Sequence, residues 1–403
     1  MKVMLVEPFG SGHHMSLHIR FAVRKLQSFN CQLSLLTRRS AVADPSYQTV
    51  KTEIIKDMPT FFLPELKYNK SSSSLMILLR QIREWLILKR EFLRVIKINK
   101  PDIIYVSDLE WIAKATEILG SPFDQIPFVA LYMSPKHHRK TMGLGPESRY
   151  DWIYDKLFQR LLKIPTLQKL ITMDEFFYDF SKQRYKSSLK KIMLAPDFAL
   201  IEGNLSKKKA RINLGISQSA KVILVYGTLN LKKGINELLS ALIEENLPND
   251  LVILLSGRPS DEIIELIRSK KIKKLLDSKK VVTSFKFHDS RDEQEAFVAS
   301  DVVWLGYTNS FFGSSGVLYQ AIQADLPILG QKDGLIGRYV EKYKLGKTMP
   351  VNNVKKVAEA INDLFSEIDI YIKNRMSRNM LKDYHSPDKH GQIIYDALTE
   401  VEN

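Results

Sequence analysis

The chain has 403 residues, 44% of them apolar, and carries 60 Lys and Arg against 45 Asp and Glu, a net charge of +15. This is a two-domain length with enough apolar residues for ordinary cores, which excludes wholesale disorder. The single cysteine, Cys31, excludes an intramolecular disulfide framework and a cysteine-built zinc site. No apolar run reaches the roughly 18 residues of a membrane span, and Met1–Val6 is too short for a signal peptide. A soluble, cytoplasmic, basic protein is expected. Its charge is uneven: residues 1–200 hold 31 basic against 19 acidic residues, a net of +12, and residues 201–403 hold 29 against 26, a net of +3. Such a split marks one half as facing an anionic partner (nucleic acid, anionic lipid or an acidic polymer), with a solubilising surface as the alternative.

In chain order, Lys2–Glu7 reads as a short strand ending in Pro8-Phe9-Gly10-Ser11-Gly12, and His14–Ser28 as a helix. Cys31–Thr37, Asp102–Ser107 and Pro127–Met133 read as further strands bounded by turn residues. Strands alternating with helices predict a parallel sheet covered on both faces. The pattern restarts after the Lys-rich Ser206–Arg211, read as a linker. Strands are expected at Lys221–Gly227, Leu251–Gly257, Val281–Phe285, Val302–Leu305 and Leu326–Leu329. Helices are expected at Ile235–Glu245, Asp261–Leu276, Arg291–Ala299 and Gly316–Gln323. The expected domains are 1–205, 206–380 and a C-terminal helix, 381–403, packing back on the first domain.

Ligands of doubly wound domains bind beyond the carboxyl ends of the strands, where loops and helix N-termini present free amides. Three loops fit. Gly10-Ser11-Gly12-His13-His14 follows the first strand, with His13 or His14 as a general base or phosphate donor, or as plain capping or solvated histidines. Gly227-Thr228-Leu229-Asn230-Leu231-Lys232-Lys233-Gly234 places a lysine where it can hold a phosphate as a compact charge, although an exposed turn lysine has the same spacing. Phe312-Gly313-Ser314-Ser315-Gly316 offers hydroxyls and amides to one anion at a helix start.

On these residues the second half resembles the donor domain of the GT-B glycosyltransferases, in particular the family 4 retaining type. The family's Gly-Arg-Leu-x-x-x-Lys-Gly loop matches Gly227, Leu229, Lys233 and Gly234. Phe287–Trp304 is similar to its helix and strand before the donor loop, and Ser314–Gly330 to its helix–Gly–x–Pro–strand signature, with Asp333-Gly334 at the glycine turn. The first half is similar in outline to the acceptor domain. The resemblance implies two Rossmann-like doubly wound domains facing a central cleft. The family's two glutamates fall at Phe312 and Gln320, and its phosphate-binding arginine at Thr228. Gln320 retains hydrogen bonding for a ribose hydroxyl, and Arg258 is a substitute guanidinium.

The resemblance further implies a UDP- or GDP-sugar donor and no required cofactor or metal. It implies diphosphate stabilisation by Lys233, the Ser314–Gly316 amides and Arg258, and hexosyl or N-acetylhexosaminyl transfer with retention, in surface polysaccharide, glycolipid or glycoprotein assembly. A nucleotide-sugar epimerase and a catalytically silent homologue serving as a partner or scaffold protein are the alternatives. Nucleic acid is not expected as a partner, since no recognition module is visible. Ser134-Pro135-Lys136-His137-His138-Arg139-Lys140 suits an anionic or lipid-linked acceptor, or is a solvated basic loop. Leu75–Lys100 is a basic amphipathic stretch: a helix lying on the inner face of a membrane, or an ordinary domain helix.

Overall fold

The computed structural model describes residues 1–9, 14–66, 73–133, 135–286, 289–308, 311–373 and 375–400. The chain forms two compact units, Met1–Met142 with Pro146–Asp197 and Pro387–Asn403, and Gly143–Gly145 with Phe198–Ser386.

The first unit is built on a seven-stranded, wholly parallel sheet. Its strands are β1 (Lys2–Val6), β2 (Gln32–Arg38), β3 (Thr60–Leu63), β4 (Ile103–Val106), β5 (Phe128–Leu131), β6 (Leu167–Thr172) and β7 (Ile192–Leu194), in the order β3-β2-β1-β4-β5-β6-β7. Alternation decides which side chain enters which core. Met4, Val6, Ile104 and Val106 point into one core with the Ser74–Val95 helix, and Val3, Leu5, Ile103 and Tyr105 point into the other. Both faces are buried, which is why these strands read as continuous apolar runs. The Pro387–Thr399 helix belongs to this unit. It buries His390, Ile394, Ala397 and Leu398, and Lys25 reaches Asp388 at 2.7 Å.

The second unit holds a six-stranded parallel sheet. Its strands are β8 (Lys221–Tyr226), β9 (Leu251–Ser256), β10 (Val281–Ser284), β11 (Val302–Leu305), β12 (Ile328–Gln331) and β13 (Gly346–Met349), in the order β10-β9-β8-β11-β12-β13. The doubly wound architecture expected of both halves is present.

Four expectations need correction. Ser206–Arg211 is not a linker, because Lys207–Asn213 is a helix capped by the Ser206 hydroxyl on Lys209 N. Arg211 locks it down, donating to the Ala299 carbonyl at 2.9 Å and to Asp301 at 2.8 Å. The 261–276 helix is two, Asp261–Arg268 and Lys270–Asp277, because Ser269 turns extended and caps the second. The helix after β1 begins as a wider π-type turn, His14–Ile19, before continuing as Arg20–Ser28. Four strands lie outside the expected set: β3, β6, β7 and β13.

Candidate active site

In the second unit the loops that leave the strand ends are held backbone against backbone. Gly227 (φ +93°) and Gly257 (φ +135°) both occupy conformations that side chains strain, and a Cβ on Gly257 would stand 1.9 Å from the Gly227 carbonyl oxygen. Leu229 N donates to the Arg258 carbonyl and Ser260 N to the Leu229 carbonyl, each at 2.8 Å. The first loop is thereby pinned before it reaches Lys233.

Lys233 folds back over its own loop. Its Nζ donates to the Tyr226 carbonyl and lies 5.9 Å from the centroid of the Tyr307 ring, and a Cβ on Gly227 would be only 3.3 Å away. The Trp304 indole holds the backbone, donating to the Lys233 carbonyl at 2.7 Å. Burial pushes the ammonium down to about 8, and no carboxylate among the described residues pairs with it. A cation that has lost its water and has one neutral acceptor lowers its energy when an anion arrives.

Tyr307 connects this lysine to the serine loop. Its hydroxyl is 3.0 Å from Ser315 Oγ, and Ser314 Oγ is 3.0 Å from the Tyr319 hydroxyl. Ser315 stands at the start of the Gly316–Gln323 helix without bonding its amides, which leaves the first turn without a capping side chain from its own N-cap residue. Lys233, Gly227, Ser315 and the helix start at Gly316 are thus joined through Tyr307. Thr228 and Arg258 lie exposed beside them.

The third constellation is acidic. The Gln320 side-chain amide donates to Glu293, and the Tyr226 phenol is hydrogen-bonded to the same carboxyl. Burial drives Glu293 up to about 7, although both hydrogen bonds act in the opposite direction. Tyr226 therefore touches two functional groups, with its carbonyl on Lys233 and its phenol on Glu293. Phe312 carries no polar group for a ligand. Its ring packs where a Cβ on Gly145 would meet it at 3.1 Å. Among the described residues no His, Cys, Asp or Glu cluster has the spacing of a metal site.

Sequence reasoning missed Tyr307 and Glu293. Tyr307 had a readable signal, standing two residues past a buried strand. Glu293 had none, because Asp292 and Glu293 read as the usual acidic first turn of a helix.

In the first unit, Gly12 and His13 lie outside the described residues. So does the side chain of His14, whose backbone opens the His14–Ile19 turn. His137 and His138 are not on a solvated loop; both are buried. The Tyr185 hydroxyl donates to Asp155 at 2.6 Å and so receives the His137 Nε2–H, at 2.8 Å. Burial pushes His137 down to about 4, a neutral core histidine among Phe158, Phe177 and Phe180. His138 Nε2 lies 3.1 Å from Asp174.

Residues 206–382 match the family described as glycosyl transferases group 1. A curated relative, the D-inositol 3-phosphate glycosyltransferase of Corynebacterium urealyticum, is 30% identical over 168 residues, which is 40% of this chain and 39% of the relative. Over nearly its whole length the chain is similar in fold to the sucrose-phosphate synthase of Thermosynechococcus elongatus (TM-score 0.68, 14% identity, 98% of each chain). It is likewise similar to Anabaena HepE solved in complex with UDP (TM-score 0.67, 14% identity, 100% of each chain). The fold is GT-B.

Proposed function

We propose, from the premise that residues 206–382 form a glycosyl transferases group 1 domain, that the protein transfers a sugar from a nucleoside diphosphate, UDP or GDP, to an acceptor. The carrying observation is Lys233, a buried ammonium that no carboxylate among the described residues pairs with, held above a glycine loop at the carboxyl end of β8. As the glycosidic bond to the diphosphate breaks, negative charge grows on the leaving phosphate oxygens. Lys233 meets that charge as a preorganised cation, and the amides at the start of the Gly316–Gln323 helix meet it as oriented dipoles. Both gain strength from a dehydrated setting. The sugar is a hexose or N-acetylhexosamine, and the family expectation is transfer with retention. The acceptor is anionic or lipid-linked, within surface polysaccharide, glycolipid or glycoprotein assembly, in keeping with the basic first half and the curated relative's phosphate-bearing acceptor name.

Phe312 favours a second reading, a homologue that binds nucleotide without turnover, because an apolar ring stands where the resembled enzymes carry a glutamate. One experiment separates the two. UDP- and GDP-sugars are titrated against the protein while its melting temperature and the release of nucleoside diphosphate are followed. Binding with release that Lys233→Ala abolishes supports transfer, binding without release supports the silent reading, and no shift at millimolar nucleotide refutes both.

A further inference from the structure

The Ser74–Val95 helix has two apolar faces, and only one is used by the fold. Gln81, Glu84, Trp85, Leu88, Phe92 and Val95 are buried, with Trp85, Leu88, Phe92 and Val95 in the core under the sheet. Glu84 is neutralised there by Arg38 at 2.6 Å, and the Trp85 indole donates to the Gly120 carbonyl at 3.0 Å. That face is complete. On the roughly opposite side stand Leu75, Leu79, Leu86 and Leu93, between 37% and 63% exposed. Their spacings of four, seven and seven residues keep them within about 40° of one another around the helix. A single exposed leucine needs no explanation, but an aligned row of four over five turns does.

The row is edged by cations. Arg83 and Arg90 follow it along one side, Lys89 stands on the other over the Trp85 ring, and exposed Arg94 and Lys97 continue it. Exposed Glu65 adjoins the strip beside Pro64 and Leu66 and accepts from Ser40 N at 2.7 Å, and on the helix itself the acidic residue at this edge is Glu91. It is shared by Arg90 at 2.8 Å and Arg94 at 3.0 Å, so the strip stays net positive. A hollow of about 470 Å³ lined by Pro64, Leu66, Arg83, Leu86, Ile87 and Arg90 opens within it, combining apolar walls with two guanidinium groups.

We propose that this outer face of the Ser74–Val95 helix docks on an anionic lipid bilayer, with the four leucines in the acyl boundary and Arg83, Arg90 and Arg94 on lipid phosphates. Charge selects this occupant. A second copy of the chain pairing about a two-fold axis would set identical arginine rows against each other, whereas anionic headgroups complement them and the acyl layer accepts the leucines. The inference stands on the first unit alone and is independent of the sugar-transfer reading.

The test is sedimentation of the full chain with phosphatidylcholine vesicles containing about one-third phosphatidylglycerol, and with phosphatidylcholine alone. Binding to the anionic vesicles only, weakened by salt, is expected. Arg83→Glu/Arg90→Glu/Arg94→Glu lowers the partition coefficient by at least about 100-fold, from roughly 1 kcal/mol for each arginine withdrawn from the headgroups. Leu79→Ser/Leu86→Ser/Leu93→Ser abolishes binding, and because these residues face water the melting temperature stays put. No sedimentation with anionic vesicles, or equal sedimentation of either variant, overturns the proposal. So does leucine-dependent dimerisation in analytical ultracentrifugation without vesicle binding.

Discussion

An ammonium pushed down to about 8 by burial has to take up a proton when a diphosphate arrives at pH values where it is partly neutral. In the free protein Lys233 is about 10% deprotonated at pH 7, half at pH 8 and about 90% at pH 9, by the ordinary titration relation. A bound diphosphate supplies the opposite charge the site lacks and carries the amine back toward its usual value near 10.5. Binding of UDP-glucose, whose uracil N3–H begins to ionise only toward pH 9, should therefore take up about 0.1 proton at pH 7 and about 0.5 at pH 8. The affinity should weaken by up to about tenfold per pH unit above pH 8, and full restoration of the pKa is worth about 3 kcal/mol. Calorimetry in buffers of different ionisation enthalpy reads the uptake directly, with a GDP-sugar as the alternative donor. Lys233→Met should bind more weakly and show no uptake. Intact binding with no uptake at pH 8, or the same uptake in Lys233→Met, would refute the placing of Lys233 on the diphosphate.

Three further outcomes concern the second unit. Gly257→Ala forces a Cβ onto the Gly227 carbonyl at 1.9 Å, and the backbone must move. A melting-temperature loss equivalent to roughly 3 kcal/mol is expected, together with loss of nucleotide binding. Gly215→Ala, at φ +67° with open space around it, should cost only about 1 kcal/mol of backbone strain and leave binding alone. Glu293 is pushed up to about 7 in the folded chain and titrates near 4.5 unfolded. Between those values the folded state holds the extra proton, so stability is highest below pH 4.5 and declines as pH rises to 7, by up to about 3 kcal/mol from this group. Glu293→Gln should remove that part of the slope in chemical denaturation at pH 5 and pH 7. An unchanged slope would show that the carboxyl is not held as described.

The legible parts of the fold were those where one segment decides its own burial. β1, β4, β5, β8 and β9 are central strands, buried on both faces, and their apolar runs announce them. β3 and β13 are edge strands with partly exposed residues. β7 has only three residues, and β6 carries Lys169, whose ammonium escapes to the Lys190 carbonyl at 3.1 Å. None of these four has a run to read. The Lys-rich 206–211 stretch misled because composition does not show that Arg211 has three acceptors waiting on other elements. The buried histidines misled similarly. Beside Lys136, Arg139 and Lys140 they look solvated, and only the aromatic cluster brought by the Asp151–Leu162 and Glu175–Arg184 helices makes them core.

The glutamate positions show where reading by alignment and reading in space part company. Column by column, Gln320 counts as the loss of a carboxylate. In the folded chain its amide nitrogen is bonded to a carboxyl that the neighbouring Ser290–Ala299 helix supplies, and the strand residue beneath Lys233 holds that same carboxyl through its phenol. A carboxyl therefore stands against Gln320 although position 320 carries none, and the hydrogen bonds that fix it come from residues far apart in sequence, Tyr226 and Gln320. Phe312 is different in kind, since its ring fills space against Gly145 and no carboxyl among the described residues reaches it. A variant restoring an acid should therefore act differently at the two positions. Gln320→Glu sets a second carboxyl against Glu293, and one of the two must stay protonated, whereas Phe312→Glu removes packing and introduces a charge with no partner. The two substitutions look equivalent in an alignment and are opposite in their physics.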